Sequence, residues 1–257
     1  MPEHLHVHVP ARQLEETLPF LLDRRLQPEV AFKGPDLDEL RSPRLQAAGD
    51  RLATAGLGVT VHAPFHDLNP GALEPLVRDV TRHRLSQTLA AAEQIGARLV
   101  VVHPGYDTWK YGGQDHLWLE QSLAFWPPLI AAAKRAGIVL ALENIFEVHP
   151  HLLSSLLEQI DSPFFSHCFD AGHWRLFANA VSLPEWFAAL GRRTVHLHLH
   201  DNRGTGDDHL PIGDGDIDFS TLFRLVATLP ASPSMTLEAH SRDALLRSLS
   251  ALERHLD

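Results

Sequence analysis

Short apolar runs alternate with longer amphipathic segments along the whole chain. The apolar runs are typical of β-strands, which we predict at residues 4–9, 28–33, 57–62, 97–103, 137–143, 164–170, 193–200 and 234–239. The segments between them carry apolar residues at helical spacing, and we predict helices at 11–25, 36–55, 73–95, 115–136, 150–160, 182–190, 218–228 and 241–256. Several strands are apolar throughout, which is typical of strands buried on both faces.

This alternation predicts an α/β fold, and we expect a single (β/α)8 TIM barrel. Residues 1–257 contain no evident linker, repeat or low-complexity tract, so we expect one domain. A doubly wound open sheet is the alternative, although no glycine-rich dinucleotide motif follows the first strand. The helix boundaries agree with the pattern, because Ser182 and Pro184 suggest a helix start and Gly96 and Gly137 suggest helix ends.

Six of the predicted strands end in side chains that commonly bind metal ions. These residues are His62, His103, Glu143, Asp170, His198 and Glu238. In a closed barrel the carboxyl ends of the strands meet at one mouth, so the six side chains are expected to converge. Ionised carboxylates in a buried site repel one another unless cations neutralise them. We therefore predict a metal site at this mouth.

The strand before the loop 201–216 alternates histidine with leucine in the sequence HLHLH. Alternation places the three imidazoles on one face, where we expect His198 to be a metal ligand and His196 and His200 to line the wall. The first strand carries a similar set, which comprises His4, His6 and His8. We expect those three to be hydrogen-bonded polar residues of the barrel interior.

Three further candidates lie on loops close to these strand ends. His173 follows Asp170 in the sequence FDAGHW, while Asp207 and His209 are separated by one residue on the loop after the seventh strand. Two imidazoles and one carboxylate are enough for a further zinc ion that keeps a coordination position open for water or substrate.

The net charge narrows the range of partners. The chain has 22 Lys and Arg against 32 Asp and Glu, which gives a net charge of −10, and it has 18 histidines. Nucleic-acid binding depends on neutralising phosphates, so a nucleic-acid partner is disfavoured and a small-molecule substrate is expected. A monomer or a homodimer is compatible with the sequence.

The sequence also carries an expectation about localisation. The chain shows neither an apolar run of membrane-spanning length nor a signal-peptide pattern, and Cys168 is its only cysteine. We expect a cytoplasmic protein without membrane contact.

The strand ends and loops resemble the xylose isomerase-like TIM barrel superfamily, and within it the endonuclease IV branch, which is AP endonuclease family 2. The resemblance implies three zinc sites. His62 in VHAPF, His103 in VVHPG and Glu143 in ALEN match the first site, with Glu143 bridging to the second. The other matches are Asp170, His198 and Glu238 for the second site, and His173, Asp207 and His209 for the third.

Other sequence motifs in the loops resemble a second group of proteins within the superfamily. The sequences HAPFHDLNPG, LENIFE and HLHDN are similar to bacterial sugar phosphate isomerase/epimerase-type proteins, including cobamide-remodelling phosphodiesterases. Endonuclease IV proteins carry basic and apolar loop residues that enter DNA, whereas the loops here are rich in acid. The resemblance therefore implies a small substrate such as a cobamide, with phosphorylated molecules favoured over DNA.

Two enzymatic hypotheses follow from these residues. The first is phosphodiester hydrolysis at two or three zinc ions, or at manganese or another divalent metal, with Glu143 bridging the ions and Glu238 orienting the nucleophile. The second is a one-metal sugar isomerase or epimerase in which Glu143 and Glu238 exchange a proton. A protein that stores or senses metal is a third, non-enzymatic reading.

Candidate substrate contacts lie on the loops around the same mouth. Basic side chains could bind phosphate, and aromatic side chains could stack on a planar group. The candidates are Lys33, Phe65, Trp109, Tyr111 and Arg203, with Trp118 as a further aromatic residue. Packing beneath a long loop is the alternative for Trp109, Tyr111 and Trp118.

Overall fold

Eight parallel strands form a closed barrel in chain order in the computed structural model, which describes residues 4–39 and 43–256. The strands are β1 Leu5–Pro10, β2 Gln27–Ala31, β3 Thr60–His62, β4 Leu99–Val102, β5 Val139–Glu143, β6 Phe165–Asp170, β7 Thr194–Leu199 and β8 Ser234–Leu237. The barrel closes where Leu5 of β1 pairs with Met235 of β8. The predicted barrel is confirmed, and the open sheet is excluded.

Helices cover the outside of the barrel. They are α1 Leu14–Arg24, α2 Gly34–Glu39, α3 Pro43–Thr54, α4 Pro75–Ile95, α5 Thr108–Tyr111, α6 Asp115–Ala136, α7 His151–Ile160, α8 Ala171–Phe177, α9 Leu183–Leu190, α10 Phe219–Val226 and α11 Arg242–Leu256. Among the described helices, none is both long and apolar enough to cross a membrane.

Three features of the helices differ from the prediction. The segment 36–55 forms two helices, α2 and α3, and positions 40–42 between them lie outside the described residues. The short helices α5 and α8 were not predicted. Each follows an aspartate whose side chain accepts a backbone N–H of the first turn, Asp107 before α5 and Asp170 before α8. Side-chain caps of this kind begin helices that are too short to show a periodic pattern.

The strands are also shorter than the sequence suggested at the mouth of the barrel. Strands β4, β7 and β8 end one residue or more before the predicted limits, so His103, His200 and Glu238 are the first residues of loops. Their side chains nevertheless contact the carboxylates and imidazoles at the mouth. Glu238 still donates its backbone N–H to the Leu199 carbonyl of β7 at 3.2 Å.

The helix boundaries follow ordinary capping chemistry. Gly96 and Gly137 end α4 and α6 with φ of 80° and 68°, a left-handed conformation that glycine adopts without strain. Ser182 forms a capping box with Glu185 at the start of α9, in which each side chain bonds to the backbone of the other residue. The predicted helix start and both predicted helix ends are confirmed.

The barrel separates an apolar shell from a largely polar interior. Leu197 and Leu199 of β7 are buried in the main apolar core between strands and helices. The alternate residue His196 lies inside the barrel, where it contacts Glu29 of β2 and Thr236 of β8. Side chains from non-neighbouring strands meet in this way only in the barrel interior, which is where the chain concentrates its buried charge.

Removing the capping hydroxyl in Ser182→Ala is expected to lower the free energy of unfolding by about 1 kcal/mol, because a backbone N–H loses its acceptor. Thermal unfolding followed by circular dichroism should show a melting temperature lower by about 2–4 °C. Ser220→Ala is the control, since Ser220 is exposed in the first turn of α10 and does not cap it. Equal melting temperatures for wild type and Ser182→Ala would contradict the cap.

Candidate metal centre

Glu143, at the end of β5, lies at the centre of a cluster of imidazoles. Its Oε2 is 3.2 Å from Nε2 of His62 and 3.2 Å from Nε2 of His103. Its Oε1 is 3.1 Å from Nδ1 of His173 and 3.3 Å from Nδ1 of His198. The two oxygens of one buried carboxylate thus face two different pairs of histidines.

A second group surrounds Nδ1 of His198. Besides Glu143, the neighbours of this nitrogen are Oε1 of Glu238 at 3.4 Å and Oδ2 of Asp170 at 3.7 Å. Asp170 and His198 are fully buried, and Glu238 is nearly so. Three carboxylates therefore converge on one imidazole nitrogen at the mouth of the barrel.

A third group lies further out on the loop after β7. Oδ2 of Asp207 is 3.3 Å from Nε2 of His209 and 3.6 Å from Nε2 of His173. The Asp207 side chain is 41% exposed, in contrast to the buried carboxylates below it. The third group is therefore the part of the cluster most open to solvent.

Hydrogen bonds to backbone carbonyls fix the orientation of three imidazoles. Nδ1 of His62 lies 2.8 Å from the Ala63 carbonyl, and Nδ1 of His173 lies 3.1 Å from the Asn144 carbonyl. Nδ1 of His209 lies 3.2 Å from the carbonyl of Glu238. A proton on Nδ1 leaves the lone pair on Nε2, which in each ring is directed at a carboxylate.

Such an arrangement suits a cation. A ring nitrogen and a carboxylate oxygen at these distances repel each other unless a proton or a metal ion lies between them. In the part of the chain that the structure describes, the ion pairs of Glu143, Asp170, Asp207 and Glu238 are with histidines, and none is with lysine or arginine. The described residues thus contain His, Asp and Glu groups that could hold metal ions.

The electrostatics of the cluster favour ionised carboxylates. Burial disfavours the charge on Glu238, but His198 and the neighbouring imidazoles outweigh it and lower the pKa of Glu238 to about 2. Burial likewise opposes protonation of His209, yet the Asp207 carboxylate raises the pKa of His209 to about 9. Glu147 behaves differently, because burial dominates and raises its pKa to about 7.

The loop that carries Asp207 and His209 is held by one buried carboxylate. Asp201 Oδ1 accepts the N–H groups of Asn202 and Ile217, and its Oδ2 accepts those of Gly213 and Gly215. The Asp201 backbone also exchanges two hydrogen bonds with Leu210. The two ends of the loop are thereby tied to the end of β7, which fixes the approach of the third group to the other two.

The structure brings all nine predicted ligand residues into one connected cluster. It also adds residues that were not predicted as ligands. His200, predicted to line the wall, lies with Nε2 3.2 Å from Asp170. Asn144 is buried, bonds to the backbone of Asp170 and supplies the carbonyl that holds His173. Glu29, in the middle of β2, is fully buried beneath His198. The LEN motif was a signal for Asn144, whereas no local pattern pointed to Glu29.

Among the predicted aromatic contacts, Phe65 lies at the cluster. Its ring stacks on His103 with centroids 4.2 Å apart, and it is 39% exposed. Trp109 is 95% exposed on α5. Tyr111 is buried, and its hydroxyl bonds to the loop at Gly71, while Trp118 is fully buried in the core. Tyr111 and Trp118 thus take the packing role, because the long loops after β3 and β4 need apolar support.

The two predicted basic contacts are exposed. The three histidines of the predicted first strand differ in burial and in their contacts. Lys33 is exposed after β2, and Arg203 is exposed with Nη2 donating to the Asp214 carbonyl. His6 is buried beside the Pro28 carbonyl, and His8 lies 3.8 Å from Glu238. His4 is exposed before β1, so the interior position predicted for it is wrong; the strand begins only at the next residue.

Comparison with known proteins places this barrel in a family. The sequence profile of the family described as xylose isomerase-like TIM barrel matches residues 26–255. The chain belongs to this family. Relatives of this xylose isomerase-like barrel include the probable endonuclease 4 of Mycobacterium leprae, which is 28% identical over 200 residues, covering 72% of this chain and 75% of the relative. The uncharacterized protein MJ1311 of Methanocaldococcus jannaschii is 28% identical over 205 residues, covering 77% and 70%.

Solved structures of similar shape extend the comparison. The TTHB071 protein from Thermus thermophilus, soaked with ZnCl2, matches with a TM-score of 0.80 and 27% identity, and 98% of this chain and 97% of that chain are covered. A D-tagatose 3-epimerase-like protein matches with a TM-score of 0.83 at 24% identity over the same shares. The second likeness shows the fold alone.

Replacing the loop-holding carboxylate in Asp201→Asn is expected to destabilise the barrel by about 3 kcal/mol, because an amide donor would face backbone donors and charged hydrogen bonds would be lost. The melting temperature should fall by about 6–12 °C. Asp208→Asn makes the same chemical change at an exposed position of the same loop and should leave the melting temperature within about 1 °C. A similar small change in both variants would refute the role of Asp201.

Proposed function

We propose that this protein is a metal-dependent hydrolase of phosphodiester bonds with a multinuclear zinc centre. Another divalent metal, such as manganese, could bind to the same ligands in place of zinc. The proposed ligands are His62, His103, Glu143, Asp170, His173, His198, Asp207, His209 and Glu238. The residues proposed to act in the reaction as well are Glu143 and Glu238.

The observation that carries the proposal is the position of Glu143. Its Oε2 faces His62 and His103, whereas its Oε1 faces His173 and His198. A carboxylate shared in this way is suited to bridging two cations, and a one-metal site has no need for the His62–His103 pair. Asp207 adds a third set of ligand atoms through its contacts with His173 and His209.

The side chains around the centre have separate tasks in this proposal. Divalent ions held by these ligands would activate water at neutral pH and stabilise the negative charge that develops during phosphoryl transfer. The Nδ1 bonds of His62, His173 and His209 keep each Nε2 lone pair directed at the centre. Glu238, ionised at neutral pH, is placed to orient the nucleophilic water through a hydrogen bond to its carboxylate.

Several features favour a small substrate over DNA. The net charge of −10 disfavours a polyanion, and exposed apolar side chains occur on the loops after three neighbouring strands. Phe65 follows β3, Trp109 follows β4 and Phe146 follows β5, and these are 39%, 95% and 43% exposed. A phosphodiester with a planar or apolar portion, such as a cobamide, would suit this rim. Lys33 and Arg203 are the proposed phosphate contacts.

A one-metal sugar isomerase or epimerase is the second candidate. It is favoured by one observation, namely that Glu143 and Glu238 approach the same Nδ1 of His198 at 3.3 and 3.4 Å. Two carboxylates on either side of one cation could exchange a proton at a carbon next to a carbonyl group. In that reaction Asp207 and His209 would have no chemical task, and the two functions can be separated on this basis.

Zinc-reconstituted protein is expected to hydrolyse the chromogenic diester bis(4-nitrophenyl) phosphate, and protein stripped by chelation should be inactive. Asp207→Asn is expected to lower hydrolysis about 100-fold, since loss of a ligand removes several kcal/mol of stabilisation. His240→Gln is the matched control, because His240 stacks on His209 with centroids 4.2 Å apart but is exposed and is not among the proposed ligands. The control should retain activity within about twofold.

One result would contradict the hydrolytic function, and another would contradict only the proposed substrate class. Absence of hydrolysis in zinc-replete and manganese-replete wild type, together with epimerisation of ketohexoses that survives Asp207→Asn, would establish the second candidate instead. Cleavage of a duplex with an abasic site faster than the small diester would refute the proposed substrate class while leaving the hydrolytic mechanism in place.

A further inference from the structure

The two ring nitrogens of His198 face different surroundings. Nδ1 is directed at the mouth, where Glu143, Glu238 and Asp170 lie within 3.7 Å. Nε2 points down into the barrel, where its ion-pair partner among the described residues is Glu29, with Oε1 at 3.0 Å. If His198 binds a metal ion through Nδ1, its proton must reside on Nε2, next to Glu29.

The carboxylate of Glu29 is itself held in a fixed orientation. Its Oε2 accepts hydrogen bonds from the hydroxyls of Thr60 and Thr236, each at 3.0 Å, and lies 3.0 Å from Nε2 of His196. These three partners come from β3, β8 and β7. Its Oε1 lies 3.0 Å from Nε2 of His198, and neither of these two buried atoms has a hydrogen-bond partner among the described residues. One oxygen is thus fully engaged by the barrel wall, and the other is left for His198.

His198 differs in this respect from three other proposed ligands. His62, His173 and His209 each place Nδ1 on a backbone carbonyl and direct Nε2 at the centre, and Nδ1 of His173 also lies 3.1 Å from Oε1 of Glu143. His198 instead directs Nδ1 at the centre, and its Nε2 faces the carboxylate of Glu29. A carboxylate behind an imidazole raises the electron density on the ligating nitrogen and strengthens its bond to a metal ion.

The burial of Glu29 argues against a purely structural role. Its side chain is fully buried, and in the described part of the chain its ion-pair partners are His196 and His198, with no lysine or arginine among them. Hydroxyl and imidazole partners stabilise a buried carboxylate less than a cationic partner would, so further compensation is favourable. A cation bound by His198 would supply that compensation through the imidazole ring.

We propose that Glu29 is a positioning residue that holds the proton on Nε2 of His198 and thereby directs Nδ1 at the metal centre. This inference rests on the proposed metal centre and extends it to a residue on a different strand, deeper in the barrel. Thr60, Thr236 and His196 keep Glu29 in place by occupying its other oxygen.

The variant Glu29→Gln tests the proposal without changing the size of the side chain. Zinc affinity, measured by competition with a chromophoric chelator, is expected to fall about 10- to 100-fold relative to wild type. His6→Asn is the matched control, because His6 is also buried in the barrel interior, and its Nδ1 contacts the Pro28 carbonyl rather than His198. The control is expected to change zinc affinity less than about threefold.

A spectroscopic signature separates positioning from a loss of packing. In cobalt-substituted protein, the exchangeable N–H proton of each coordinated imidazole gives a shifted NMR signal. One such signal in the wild type should exchange slowly with solvent, because the Nε2–H of fully buried His198 faces Glu29. That signal should shift or exchange rapidly in Glu29→Gln and stay unchanged in His6→Asn.

The outcomes distinguish this inference from the proposed function. Wild-type protein that binds no zinc would refute the metal centre, and this inference with it. Wild-type and Glu29→Gln proteins that bind zinc equally well, with unchanged N–H signals, would refute only the role of Glu29. If Glu29→Gln does not fold, Thr236→Val removes one support of the carboxylate instead, and zinc affinity equal to wild type in that variant would overturn the proposal.

Discussion

Negative charge is buried inside the barrel, and the side chains around it are arranged to stabilise that charge. Glu29, Glu143, Asp170 and Glu238 are all buried, and in the described residues their ion pairs are with histidines. A carboxylate moved from water into protein loses several kcal/mol of solvation unless opposite charge or hydrogen bonds replace it. Imidazoles can supply that charge by binding a second proton, as for His209, whose pKa is raised to about 9 beside the Asp207 carboxylate. Metal ions held by the same groups could supply it instead.

The surrounding fold follows from that requirement. The closed barrel brings the ends of strands from distant parts of the chain to one mouth, where Glu143 can share its two oxygens between two sets of imidazoles. The loop after β7 completes the cluster, and Asp201 holds both ends of that loop through four backbone N–H groups. Residues at or just beyond the strand ends form the inner part of the cluster, and the hydrogen-bonded loop after β7 forms its outer part.

Most of the fold and the cluster could be predicted because the signals are local. Apolar runs predict strands. A histidine or carboxylate residue at the end of such a strand is then predicted to lie at the mouth of the barrel, as for His62 and Asp170. Glu29 could not be found in this way, since its meaning depends on the packing of β2 against His198 of β7. Its aromatic ring made Tyr111 a candidate for stacking on the substrate. The residue is instead buried, and its hydroxyl donates to the Gly71 carbonyl of the neighbouring loop. Residues of this kind depend on contacts distant in sequence.

The central claim is that one cluster holds more than one metal ion, with Glu143 between them. Anomalous diffraction at the zinc edge from crystals of zinc-reconstituted protein tests it most directly. We expect two or three peaks, with two on opposite sides of the Glu143 carboxylate and the third beside Asp207. A single peak enclosed by Glu143, Asp170, His198 and Glu238, with His62 and His103 unligated at saturating zinc, would contradict it.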